Sequence, residues 1–73
     1  MLAIRHYRLK SGLSQNALAA LVDTSQRTIS LIEQGYLRPS EKMLNDIADV
    51  LGVAPAFHLL TPVDGTAHVE RSA

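Results

Sequence analysis

The sequence predicts an all-α fold, a compact bundle of five short helices. Apolar residues recur at helical spacing in four successive segments, and a fifth short segment follows Pro55. The segments are bounded by residues that favour helix starts and helix ends: Ser14, Ser25, Ser40, Gly12, Gly35 and Gly52. A chain of 73 residues, 47% of them hydrophobic, is enough for one small domain with a single core.

The first predicted helix covers residues 2–11. Positions i, i+3, i+4 and i+7 place four side chains on its inward face: Ile4, Tyr7, Arg8 and Ser11. Arg8 is the charged member of this face and therefore needs a partner. Two interpretations stay open: a surface arginine whose charge reaches water past an apolar stem, or an ion pair with Glu33.

Residues 13–35 hold two helical patterns joined by a polar break at 23–25. Leu18, Leu21 and Val22 recur in the first pattern, and Thr28, Ile29 and Ile32 share one side of the second. The opposite side of the second helix, about residues 25–34, carries hydrogen-bonding side chains and one cation within an arc of about 100°: Gln26, Arg27, Ser30 and Gln34. Such side chains are needed to contact base edges and phosphates in the DNA major groove, so we interpret this stretch as a helix-turn-helix.

Further candidate DNA contacts flank this helix. Gln15 and Asn16 lie in the first turn of the second helix, where backbone N–H groups favour a phosphate, although an ordinary solvated helix start explains them equally well. Ser25 begins the third helix. Tyr36 and Arg38, in the loop that follows, are candidates for holding the DNA backbone or are simply loop surface.

The remaining chain is predicted to support the motif. Ser40 begins a fourth helix with an apolar stripe at Leu44, Ile47, Ala48 and Leu51. A fifth helix is predicted from Pro55 to about Leu60, with Phe57 as its largest apolar group. Residues 1–60 would form the domain, and residues 61–73, which have almost no apolar periodicity, a loosely ordered tail.

The net charge of zero conceals a polarity along the chain. Residues 1–38 contain five cations and two anions, whereas residues 39–73 contain two cations and five anions. The positive half includes the candidate DNA-contacting helix, but the weak overall field predicts weak non-specific binding and a shallow salt dependence. With no cysteine, no signal-peptide pattern and no long apolar run, we expect a cytoplasmic protein without a membrane segment.

These residues together resemble the lambda-repressor-like, Cro-type (Xre) helix-turn-helix family of bacterial and phage transcription regulators. The resemblance covers roughly residues 2–60 and rests on these segments: Ile4-Arg5 with Arg8, Gly12-Leu13-Ser14-Gln15, Leu18-Ala19, Ser25, Thr28-Ile29-Ser30, Ile32-Glu33, Gly35, Pro39-Ser40 and Leu51-Gly52-Val53. It implies a bundle of five helices whose third helix enters the major groove. It also implies a phosphate and base-edge role for Gln15, a structural Arg8–Glu33 pair, and a backbone clamp at 34–38. The base-reading positions that it implies are Gln26, Arg27 and Ser30.

The sequence departs from the family pattern at three positions. Asp23 stands where glycine is usual, and its backbone is expected to be left-handed at the cost of some strain. Val22 and His58 stand where leucine or a leucine-like residue is usual. The family often places its dimer contact near the fifth helix, which makes Phe57 and Leu60 the candidate dimer residues here.

The leading hypothesis is therefore a sequence-specific double-stranded DNA-binding transcriptional regulator, a repressor that reads a palindromic operator as a homodimer. The alternative is an antitoxin that binds DNA with the bundle and a partner protein, a toxin or another regulator, with its acidic fourth helix or its 61–73 tail. An enzyme is not expected, because His6, His58 and His68 match no metal-ligand or triad spacing. No catalytic residue, metal ligand or cofactor is predicted.

Overall fold

The computed structural model describes residues 2–62 and contains four α-helices followed by a short 3₁₀ helix. Their bounds are α1 Ala3–Lys10, α2 Gln15–Leu21, α3 Gln26–Gln34, α4 Glu41–Leu51 and the 3₁₀ helix Ala56–Leu60. The prediction of a fifth α-helix is wrong in type, because a five-residue segment has room for little more than one turn, a length at which 3₁₀ geometry is common. Residues 63–73, which include His68 and most of the predicted tail, lie outside the described part of the chain.

Serine side chains begin three of the helices, as the sequence predicted. The Ser14, Ser25 and Ser40 hydroxyls each accept a hydrogen bond from the backbone N–H three residues later, at distances of 3.0 to 3.2 Å. This bond satisfies one of the donors that a helix start leaves without a partner. At the other end of α3, Gly35 adopts a left-handed conformation with φ of 85°, which only glycine accepts without strain.

The core is aliphatic and is centred on α3. Ile29 and Ile32 are fully buried there, and they form one cluster with Leu18 of α2, Ile47 of α4 and Leu59 of the 3₁₀ helix. The predicted apolar stripe of α4 is confirmed, since Ile47, Ala48 and Leu51 are buried and Leu44 packs against them. Of the predicted inward side of α3, Ile29 and Ile32 are confirmed as buried, and Thr28 is half-buried.

One residue of α2 differs from the predicted pattern. Leu21 is 60% exposed, whereas Ala19 is buried beside Leu18 and Val22. At about 100° per residue, Ala19 and Val22 lie on one side of Leu18 and Leu21 lies on the other. The side of α2 that carries Ala19 faces the core, so the larger Leu21 side chain remains in solvent.

The end of the described chain pairs with its beginning. The Ala3 N–H donates to the Thr61 carbonyl at 2.7 Å, and Leu2 forms an antiparallel bridge with Pro62. In the 3₁₀ helix, Leu59 fills the core, whereas Phe57 is 62% exposed and His58 is exposed too. His58, at the position where the family pattern expects a leucine-like residue, is therefore exposed to solvent. The adjacent Leu59 supplies the apolar contact with the core.

The outward face of α4 is polar. Lys42 donates a hydrogen bond to Asp46 at 2.9 Å, and this bond, together with the carboxylate charge, raises the pKa of the Lys42 ammonium. Among the described helices, none is both long enough and apolar enough to cross a membrane.

Candidate nucleic-acid interface

The turn between α2 and α3 sets the position of α3. The Thr24 N–H donates to the Ala19 carbonyl at 2.9 Å, and Asp23 has a φ of 57°. The left-handed conformation predicted for Asp23 is therefore confirmed. A single left-handed residue turns the chain sharply, so that α3 begins at Gln26, shortly after α2 ends at Leu21, and packs against α2.

The outward side of α3 carries the side chains that the sequence assigned to DNA. Gln26, Arg27 and Gln34 are exposed and Ser30 is half-buried. The Gln34 Nε2 donates to the Ser30 hydroxyl at 2.9 Å, which links these two side chains along the helix. Neither of the two ion pairs within residues 2–62 involves Arg27. The Arg27 guanidinium thus stands at the first turn of α3 with no carboxylate from the described chain to neutralise it.

Behind this surface lies a buried ion pair between α1 and α3. Arg8 is 6% exposed and Glu33 is 1% exposed. Arg8 donates from Nε to Oε2 and from Nη2 to Oε1 of Glu33, the latter at 3.2 Å, and from Nη1 to the Leu13 carbonyl at 2.8 Å. Of the two interpretations of Arg8, the structure contains the ion pair and excludes the surface arginine. The charges are satisfied on both sides, as buried charges must be.

Two glutamines extend this network to the surface of α3. The Gln15 Nε2 donates to Glu33 Oε1 at 3.0 Å, and the Gln26 Nε2 donates to Gln15 Oε1 at 2.6 Å. Gln15 is half-buried, and both the nitrogen and the oxygen of its amide are bonded within the protein. Hydrogen bonds therefore connect Arg8, Glu33, Gln15 and Gln26 in one row.

The remaining predicted DNA contacts border the same surface. Asn16 is exposed in the first turn of α2, and Ser25 is exposed at the start of α3 with its hydroxyl bonded to Thr28. Tyr36, 78% exposed, and Arg38, also exposed, follow α3 in a loop. Their loop is held to α3 because the Tyr36 N–H donates to the Leu31 carbonyl at 2.9 Å.

The sequence interpretation missed the contacts of Gln15 with Glu33 and Gln26. A usable signal was present, since Gln26 and Glu33 are seven residues apart and seven residues are nearly two complete helical turns. They therefore lie on the same side of α3, and Arg8 and the start of α2 meet that side. Pairing them with Gln15 required knowing where α2 crosses, which spacing along one helix does not provide.

An apolar groove of about 230 Å³ lies at the far end of α3. It is lined by Leu2, Gly35, Leu37, Arg38, Pro39 and Leu60. Leu60, one of the two candidate dimer residues, thus lines a concave surface, and Phe57, the other, is largely exposed on the same 3₁₀ helix. Leu37 adds exposed apolar area beside them.

Comparison with known proteins agrees with this geometry. A family model described as helix-turn-helix matches residues 4–58, which include α1 without its first residue, α2 to α4, and the first three residues of the 3₁₀ helix. The chain is also 34% identical over 61 residues to a protein of Aeropyrum pernix named "Putative HTH-type transcriptional regulatory protein". That match covers 84% of this chain and 17% of the relative, so the chain spans about a sixth of the relative's length.

Proposed function

The chain belongs to the Cro-type helix-turn-helix family, and we propose that it is a sequence-specific double-stranded DNA-binding transcriptional regulator. The observation that carries the proposal is the outward side of α3, where Gln26 and Arg27 are exposed and no described carboxylate pairs with Arg27. The opposite side of α3 is fixed in the core by the buried Ile29 and Ile32. The relative's printed name, which describes a transcriptional regulatory protein, supports the regulatory part.

In the proposed complex, α3 lies in the major groove. Arg27 would donate two hydrogen bonds to the O6 and N7 atoms of guanine, and Gln26 would pair with the N6 and N7 atoms of adenine. Each such bidentate contact contributes about 1–3 kcal/mol of discrimination against the wrong base. Ser30 and Gln34, bonded to each other, would present further polar groups along the same side.

Residues around α3 would hold the DNA backbone. Asn16 and the start of α2 would face one phosphate, and Ser25 at the start of α3 another, because helix starts present free N–H groups to anions. On the other side of α3, Tyr36 and Arg38 would contact the phosphates that follow. These contacts carry no sequence information but orient α3 in the groove.

We further propose that the regulator acts as a homodimer and as a repressor. Two copies of α3 about 34 Å apart would read two half-sites on one face of the duplex. The candidate dimer surface is the apolar groove that includes Leu60, together with the exposed Phe57 and Leu37. Repression would follow directly if the operator overlaps a promoter, since the bound dimer would then cover it.

Selection of bound sequences from random duplex DNA tests this proposal. We expect a two-fold symmetric consensus, with half-site centres separated by about 10 base pairs or a multiple of that spacing. The Arg27→Ala variant should bind the selected operator about 5- to 150-fold more weakly, while its affinity for random DNA changes much less. Fluorescence anisotropy on both duplexes measures the two losses.

The matched control is Lys10→Ala. Lys10 is exposed and lies two residues from Arg8, which places it about 200° around α1 from the side that faces α3. The Lys10→Ala variant should leave the affinities for the selected operator and for random DNA unchanged. Equal losses on operator and random DNA for Arg27→Ala would show that Arg27 holds phosphate only, and the absence of any enriched sequence would refute the proposed function.

A further inference from the structure

The hydrogen bonds between the ion pair and the surface of α3 all lead toward Glu33. Arg8 donates to Glu33, Gln15 donates to Glu33 at 3.0 Å, and Gln26 donates to Gln15 at 2.6 Å. Glu33, 1% exposed, is the acceptor on which the row ends from both sides. The direction of such a row decides which atoms of its last member remain for another partner.

The chemistry of Glu33 leaves no alternative direction. A carboxylate accepts hydrogen bonds and donates none, and a guanidinium donates and never accepts. Gln15 must therefore present its NH₂ group to Glu33 and its carbonyl oxygen to Gln26. Gln26, in turn, must present its own NH₂ group to Gln15.

We propose that Glu33 is a positioning residue that sets the base choice of Gln26. The proposal rests on the proposed function. The buried ion pair orients the side-chain amide of Gln15, which in turn orients the amide of Gln26. Gln26 then directs its carbonyl oxygen, with one remaining N–H, away from Gln15. An acceptor beside a donor is the complement of the N6 donor and N7 acceptor of adenine.

The reversed row would favour a different base. If Gln26 accepted from Gln15, its NH₂ group would point outward and would meet acceptors best, and guanine presents two acceptors, O6 and N7, in the major groove. An amide alone does not choose between the two orientations, because it carries a donor and an acceptor at nearly the same shape. The choice comes from Glu33, which does not contact DNA.

Glu33→Gln tests the direction of the row with little change of shape. A glutamine at position 33 carries one carbonyl oxygen and one NH₂ group, so it no longer presents acceptors alone to Arg8 and Gln15, which share Oε1 in the wild type. The direction of the row is then no longer fixed by position 33. We expect the preference for adenine over guanine at the base pair read by Gln26 to fall by up to roughly tenfold. Preferences at the other positions should stay the same.

A second variant keeps the test decisive if Glu33→Gln folds poorly. Gln15→Met retains the ion pair and the approximate length of the side chain but breaks the row, so the same base preference should weaken in this variant too. Asn45→Ala is the matched control: it removes an exposed amide from α4, outside the row and outside the proposed interface, and should leave that preference intact. Thermal melting of each variant shows that the domain remains folded.

Selection from random duplex DNA with wild type, Gln26→Ala and these three variants gives the readout. Gln26→Ala identifies the base pair concerned. The proposal is overturned if Glu33→Gln and Gln15→Met keep the wild-type preference there, if they weaken all positions equally, or if Gln26→Ala changes no position. These results leave the proposed function standing, whereas failure of the wild type to enrich any sequence would refute the function itself.

Discussion

Arg8 and Glu33 carry the only charges buried within residues 2–62, in an interior that is otherwise aliphatic. Removing two ions from water costs several kcal/mol for each, and their attraction offsets that cost only when the remaining donors and acceptors also find partners. Here the Leu13 carbonyl and Gln15 provide those partners. The complete pair therefore adds little net stability to the fold. Removal of one partner should nevertheless destabilise the fold strongly, because it leaves a buried charge unpaired.

Removal of one partner gives the first stability prediction. Glu33→Ala should lower the free energy of unfolding by about 3–5 kcal/mol, because it leaves the Arg8 guanidinium buried without a counter-ion. For a domain of this size the melting temperature should fall by at least about 10 °C. Thermal denaturation followed by circular dichroism measures the change. The double variant Arg8→Met with Glu33→Met should lose clearly less, and an unchanged melting temperature in Glu33→Ala would contradict a structural role for the pair.

At the scale of elements, the turn between α2 and α3 depends on one backbone conformation. Asp23 has a φ of 57°, a region that L-residues other than asparagine and aspartate enter only at a cost of roughly 1–2 kcal/mol. The side chain of Asp23 is exposed, so its packing contributes little. The backbone alone should then decide which residues this position accepts.

Substitution at Asp23 separates backbone strain from side-chain contacts. Asp23→Ala should lower the free energy of unfolding by about 1 kcal/mol, because alanine lacks the short polar group that makes left-handed backbone tolerable. Asp23→Gly should change stability by less than about 0.5 kcal/mol, since relief of strain is offset by a more flexible unfolded chain. Urea denaturation midpoints distinguish the two. Equal destabilisation by alanine and glycine would indicate that the aspartate side chain, and not φ, stabilises the turn.

The features that the sequence predicted correctly depend on interactions within a few residues. The serine caps join residues three apart, and Ile29 with Ile32 follow helical periodicity. The left-handed Asp23 was implied by the family resemblance, since glycine is usual at that position. The features it missed depend on how helices meet. Leu21 remains exposed because the side of α2 that carries Ala19 faces the core. The row through Gln15 requires α1, α2 and α3 to converge.

At the scale of the whole molecule, charge is distributed unevenly although its sum is zero. The cations of residues 1–38 include Arg27 and Arg38 of the proposed interface, while most anions lie from residue 39 onward, including Glu41 and Asp49 of α4. Such a molecule is attracted to DNA mainly when its interface already faces the duplex. General attraction to any DNA should consequently be small, and specific contacts must provide most of the affinity.

The salt dependence of operator binding tests this distribution. Each cation that neutralises a phosphate contributes about −0.9 to the slope of log K against log salt concentration, so two interface cations predict a slope no steeper than about −2 per protomer. Arg38→Ala should make the slope shallower by about 1 per protomer, because a phosphate contact is lost, whereas Lys10→Ala on the opposite side of α1 should leave it unchanged. Titrations of the selected operator at several salt concentrations provide the slopes. A wild-type slope much steeper than −2 per protomer would place additional cations at the DNA, and an unchanged slope in Arg38→Ala would remove that residue from the interface.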